Sequence, residues 1–330
     1  GGCPPGGFFP TGSGTCRFFL DREDIPHRSS LFISMMIDYR NVKTSMLASD
    51  GSVSPEAVNF ITGFLSRLMD FLYRIYGKLV VLIIDGYDVL LQKATTGGYY
   101  DQMLEIISGI FSSTLKGNLS LGKAYVTGSI WVAYQSIFTG ANNFVFFDQR
   151  CGEYSDLIGF TLDEVRGLLE DCGMADRYDE VTNLYDGYTI GGRTILCPWS
   201  VLSFLSSVLT GEADFPKFKH PNYWANISCS KVVDIYLEYS LESDNQRLSN
   251  LVIGGTEEID PQQFTTYPDI RKQMGFDTFA TLLLHTGYLT YDRNTRSSHN
   301  EKTVVRIPNE ELRQWFTEKL STLFGRGNPN

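Results

Sequence analysis

The sequence predicts an α/β fold. Three observations carry that prediction. Leu79–Ile84 (LVVLII) is an unbroken β-rich run, the pattern of a strand apolar on both faces in a parallel sheet. Helical and strand-like segments alternate from Leu31 to about Arg150, as crossover units do. After Arg150 the texture turns mostly helical. The resulting division is a Gly/Pro-rich segment at 1–30, an α/β core at 31–150, a helical unit at 151–250 and a C-terminal unit at 251–330.

Each element has a local reason. Gly1–Thr15 holds six Gly and three Pro and reads as loop. Leu31–Tyr39 (LFISMMIDY) reads as a buried strand. A helix follows, with Ser54 as N-cap, Pro55 at the first helical position, Glu56 at the positive dipole end and Gly77 as its stop. Val58, Ile61, Leu65, Leu68, Leu72 and Ile75 form its apolar face. After the strand at 79–84 come a helix at about Tyr100–Leu115, a strand at Ala124–Thr127, a short helix near Val132–Phe138 and a strand at Phe144–Phe147. In such a sheet ligands bind beyond the carboxyl ends of the strands.

In the helical unit, Thr161 and Glu164 form a capping box, with Phe160 and Val165 as its hydrophobic staple and Gly173 as the helix end. Tyr188–Leu196, broken by Gly191-Gly192, reads as a hairpin. Pro198 starts another helix, with Trp199, Leu202, Phe204 and Leu205 as its apolar faces. From Asp277 the order helix, strand, turn, strand, helix suits a winged-helix-like unit.

Composition excludes several functions. The 330 residues carry 28 Lys+Arg against 38 Asp+Glu, a net charge of −10, which disfavours nucleic acid and anionic membrane as partners. No apolar run approaches the length of a membrane span. Six dispersed Cys without a C-x-x-C pair read as reduced thiols, which places the chain inside the cell, in cytoplasm or nucleus. The four His are scattered, with His285 inside a Leu-rich segment, and neither H-E-x-x-H nor G-x-S-x-G occurs.

The sharpest chemical feature is VVLIIDGYD at Val80–Asp88. A carboxylate at the end of a buried strand is the physical content of a Walker B motif, able to hold the water shell of Mg²⁺ on a nucleotide. Asp85 is that residue and Asp88 a second candidate. The competing reading is turn chemistry, Asp-Gly at a strand end. The phosphate cradle G-x-x-x-x-G-K-[ST] has no match. The nearest approach is Gly7, then Gly12, Ser13, Gly14 and Thr15, a loop whose amides could form an anion nest but which has no lysine.

Taken in order, these blocks resemble the predicted AAA-ATPase-like family, P-loop NTPases often joined to a PD-(D/E)XK nuclease-like domain. YGKLVVLIIDGYDVLL resembles its Walker B block, and GYYDQM with VTGSIWVAYQSIFTGANNF the following helix and sensor strand. EYSDLIGFTLDEVRGLL, LYDGYTIGG, CPWSVLSFL and YWANIS resemble its helical lid; HTGYLT and RIPNEEL resemble the segment beyond. The resemblance implies a P-loop-type parallel sheet with helices on both faces, followed by the lid. It carries Asp85 and Asp88 over as Mg²⁺-side carboxylates, and Thr127 with Gly128 as the sensor-like strand end. It also implies Mg²⁺ and ATP as ligands.

The departures imply weak function. Gly86 stands where the family has its water-polarising Glu, the Walker A Lys has no counterpart, and Trp131 replaces a basic residue in the sensor turn. The nuclease-like domain is not expected within these 330 residues. The expectation is a pseudo-ATPase that works as a binding or scaffold protein for a protein partner. Exposed tyrosines (Tyr99, Tyr100, Tyr188) would serve as contact surface. The alternatives are a nucleotide-dependent ATPase switch whose P-loop is divergent or lies upstream of Gly1, and, third, a nucleic-acid-processing accessory protein.

Overall fold

A computed structural model describes residues 54–129, 137–138, 144–211, 223, 242–262, 275–292 and 303–326. The predicted strand at Leu31–Tyr39, the loop with Gly7, Gly12, Ser13, Gly14 and Thr15, Trp131 and nearly all of the predicted helix at 132–138 lie outside the described residues. The architecture is mixed α and β, mainly helical with small sheets.

Helix α1 (Pro55–Tyr76) is built as its end signals require. The Ser54 hydroxyl accepts from the Ala57 amide, Pro55 opens the first turn, and Gly77 closes the helix in a left-handed conformation. The chain turns into β1 (Val80–Ile84), then α2 (Val89–Gly97), α3 (Tyr100–Leu115) and β2 (Leu121–Val126). β1 and β2 pair in parallel, with Leu82 opposite Ala124 and Ile84 opposite Val126. Helices α1 and α3 pack side by side, and the Ser113 hydroxyl donates to the Thr62 carbonyl where they meet.

These helices cover one face of the β1–β2 pair. Leu82 packs with Ile107, Phe111, Leu115, Leu65 and Phe138. On the opposite face Val81 and Tyr125 are exposed and Ile83 is 72% exposed. This corrects two expectations. The strand is not buried on both faces, and among the described residues helices do not cover both faces of the sheet. A continuous apolar run cannot by itself say which alternate side chains find cover.

Three further corrections concern local elements. Phe144–Phe147 forms no strand; instead Phe144 and Phe146 meet Phe138 edge-on at centroid distances of 4.9 and 6.0 Å, so aromatic packing takes the place of a ladder. Helix α2 and the short strand β5 (Glu257–Ile259) were not predicted. Of the tyrosines expected at the surface, Tyr99 is exposed, whereas Tyr100 is buried and the Tyr188 hydroxyl donates to the Gly287 carbonyl at 2.8 Å. Trp199 and Leu202 are likewise exposed, while Phe204 and Leu205 enter the core.

The middle unit holds α4 (Leu162–Asp171), α5 (Tyr178–Tyr185), β3 (Tyr188–Ile190), β4 (Arg193–Ile195) and α6 (Pro198–Leu209). The capping box is present: the Thr161 hydroxyl accepts from the Glu164 amide, and the Glu164 carboxylate accepts from the Thr161 amide. β3 and β4 form an antiparallel hairpin. Gly191 and Gly192 both have positive φ, 56° and 76°, as a two-residue turn between twisted strands demands.

The last unit joins α7 (Glu242–Val252), β5, α8 (Phe276–His285), β6 (Thr290–Tyr291), β7 (Thr303–Arg306) and α9 (Glu310–Arg326). Its antiparallel sheet has the order β5-β7-β6. Helix α7 runs across the expected boundary at 250/251 and sends Leu248 and Leu251 into the core with Phe279, Tyr288, Val305 and Phe316. The two units interlock: the Ser200 hydroxyl donates to the buried Glu311 carboxylate at 2.7 Å, and Arg306 donates to the Gly187 carbonyl at 2.6 Å.

Candidate functional site

The parallel pairing of β1 and β2 brings their carboxyl ends side by side. The ladder runs one step past the strands: the Thr127 amide donates to the Ile84 carbonyl at 2.8 Å, and the Tyr87 amide to the Thr127 carbonyl at 3.0 Å. Asp85 is exposed at this edge. The Thr127 hydroxyl donates to Asp85 Oδ1 at 2.5 Å and accepts from the Gly86 amide at 3.2 Å. Gly86 has φ 69°, a conformation that disfavours any side chain there.

Asp88 is placed differently from Asp85, although the sequence grouped them. It is only 3% exposed, and its Oδ1 accepts from the Ser129 amide at 3.1 Å. Gly128 sits against Tyr87 so closely that a Cβ there would strike the Tyr87 ring and lie 3.1 Å from Asp88 Oδ1. The Tyr87 ring meets Phe111 and Phe138 edge-on, at 6.3 and 5.6 Å. Burial, then the charge of Asp88, push its hydroxyl far above the ordinary phenol range.

The structure thus brings Asp85, Gly86, Asp88, Thr127 and Gly128 to one edge. It adds Tyr87 and Ser129, which sequence reasoning missed. The Gly128-Ser129 step is the one signal that could have drawn attention to them, since a glycine at a strand end marks close approach.

An exposed carboxylate beside a hydroxyl matches the sparse protein contribution Mg²⁺ accepts when phosphates and water complete its octahedron. Among the described residues no group of three or more His, Cys, Asp or Glu could hold a metal, so a protein-only cage is not built here.

A second polar cluster lies at the junction with the C-terminal unit. Arg150 Nε and its amide donate to Asp148 at 3.0 and 2.8 Å, and the Cys151 thiol approaches Asp148 Oδ1 at 3.7 Å. Burial pushes the Asp148 carboxyl up, but the hydrogen bonds and charge of Arg150 outweigh it and hold the pKa below its usual value. His285 faces the same cluster, and burial lowers its pKa. Cys151, Cys172 and Cys197 are free thiols; His220 and Cys229 lie outside the described residues.

Compared with protein-family profiles, with curated proteins and with solved structures, the chain matches none.

Proposed function

We propose that this chain is a degenerate AAA-ATPase-like module of P-loop type. In this reading it binds a protein partner and holds Mg²⁺·ATP weakly at the Asp85 edge, with little or no hydrolysis. The observation that carries the reading is Asp85, exposed at the end of β1 and touching Thr127 at the end of the parallel neighbour β2. Nucleotides sit beyond strand carboxyl ends in such sheets, and a strand-end carboxylate there supports the bound Mg²⁺. Asp85 would take the metal side and Thr127 the sensor-like position.

Weak turnover follows from what stands beside Asp85. Gly86 has no side chain to orient a water, and no lysine of Walker A type occurs in the sequence. Each such electrostatic element is worth on the order of 10²–10³ in rate, so losing both leaves little above background. Protein binding is supported by the open apolar face of Val81, Ile83 and Tyr125, since parallel sheets are ordinarily covered on both faces. Among the described residues no helix is long and apolar enough to cross a membrane.

Calorimetry with Mg²⁺·ATP, paired with a phosphate-release assay, tests the proposal. A weak binding heat that Asp85→Ala abolishes, without turnover, is the expected result. No heat from the unaltered chain overturns the nucleotide site, and clear turnover that Asp85→Ala removes would make the chain an active ATPase.

A further inference from the structure

Asp88 stands at the N-cap of α2 yet makes no capping bond to its own helix. An Asp in that position ordinarily accepts from the amides of the first turn. Here its Oδ1 reaches across to β2 and accepts from the Ser129 amide at 3.1 Å, while the residue is 3% exposed. Gly128, in the same turn, lies against Tyr87. Thr127, one step earlier, directs its hydroxyl to Asp85. The Tyr87-Asp88 pair therefore bears on the turn that aims the Thr127 hydroxyl at the exposed carboxylate.

We propose that Asp88 is a positioning residue of this site. It holds the 127–129 turn through the Ser129 amide, so that Thr127 meets Asp85, and it does not touch Mg²⁺ or nucleotide. This rests on the nucleotide-site reading above. Two physical points separate it from a second metal-side carboxylate. A hydrated Mg²⁺ keeps several waters and cannot reach a carboxylate this buried without opening the turn. The Ser129 amide needs an acceptor oxygen, which an Asn side chain also supplies.

The experiment uses the full chain with Asp85→Ala, Asp88→Ala and Asp88→Asn. Two quantities are read: hydrogen exchange at the Ser129 amide without nucleotide, and Mg²⁺·ATP affinity by calorimetry across a Mg²⁺ titration. Asp88→Asn is expected to keep the Ser129 protection, the affinity and the Mg²⁺ dependence. Asp88→Ala is expected to speed Ser129 exchange and weaken binding by about tenfold each, the scale of an amide left without its acceptor. If Asp88→Asn weakens binding and shifts the Mg²⁺ dependence as Asp85→Ala does, Asp88 is a metal-side group and the proposal falls. Unchanged Ser129 exchange in Asp88→Ala also overturns it. Should the unaltered chain bind no Mg²⁺·ATP, the nucleotide reading fails separately, and Ser129 exchange in the two Asp88 variants still decides whether Asp88 holds the turn. If Asp88→Ala does not fold, loss of Ser129 protection in Asp88→Asn would overturn the idea and its retention would support it.

Discussion

The β1–β2 unit and the C-terminal unit use similar materials in opposite ways. In the C-terminal unit Phe279, Leu289, Val305, Leu312 and Phe316 are wholly buried, and α7, α8 and α9 close around a three-stranded antiparallel sheet. In the β1–β2 unit one face is packed and the other carries exposed Val81, Ile83 and Tyr125. The C-terminal unit buries its apolar residues in its own core. The β1–β2 unit leaves some of its apolar residues, and its polar strand ends, facing outward. Stability should therefore concentrate in the C-terminal unit and chemistry at the edge of the parallel pair.

The comparison breaks most sharply at Phe316. Phe316→Ala removes a wholly buried ring packed on Tyr288 and Trp315 and should cost about 3–5 kcal/mol by denaturant unfolding. A cost under about 1 kcal/mol would mean that this unit is not the stable one. Gly187→Ala comes next. Gly187 has φ 135° and lies against the Pro308 carbonyl, where no Cβ fits. Overpacking of this kind costs about 1–3 kcal/mol, and here it should loosen α5 and α9 together, read as faster hydrogen exchange in both. Exchange rising in only one would show that the middle and C-terminal units are independent.

How much of this was legible depends on sequence distance. Ser54 with Gly77, Thr161 with Glu164, and Gly191-Gly192 act within a few residues, so the sequence states their ends and turns outright. Helix α2 escaped because its nine residues are short and weakly patterned. Phe144–Phe147 reads as a strand by composition, but its partner Phe138 is a ring and no strand. The strand-end carboxylates were legible as a pair; their different placement was not. Asp88 is buried and meets Ser129, 41 residues on, and no local pattern carries that contact. The open face of β1 was hidden for the same reason, since cover comes from other elements.

A smaller effect probes the seam beside the C-terminal unit. His285 faces Asp148, whose charge raises its pKa, and Arg150, whose charge lowers it; burial dominates and holds the pKa below its ordinary 6.5. The unfolded chain then takes up the proton before the folded one does. Stability from this residue is complete above about pH 6.5 and is lost as pH falls from there toward the folded value. His285→Asn should flatten that part of the stability–pH profile between about pH 7 and 5. An unchanged slope would show that His285 titrates freely.

The smallest expected effect lies within one strand, where the two faces of β1 can be weighed against each other. Leu82 is buried and packs on Phe111 and Leu115, and truncating such a residue to Ala costs about 2–5 kcal/mol. Its neighbour Ile83 points the other way and is exposed, and surface changes away from special features stay within about 0.5 kcal/mol. Ile83→Thr keeps the β-branching that suits a strand, so it changes apolar character with little change in backbone preference. Denaturant unfolding of the two variants should therefore differ by several-fold in cost. If Ile83→Thr proves as damaging as Leu82→Ala, the outer face of β1 is covered in solution, and the contrast between an open parallel pair and a closed C-terminal core would no longer hold.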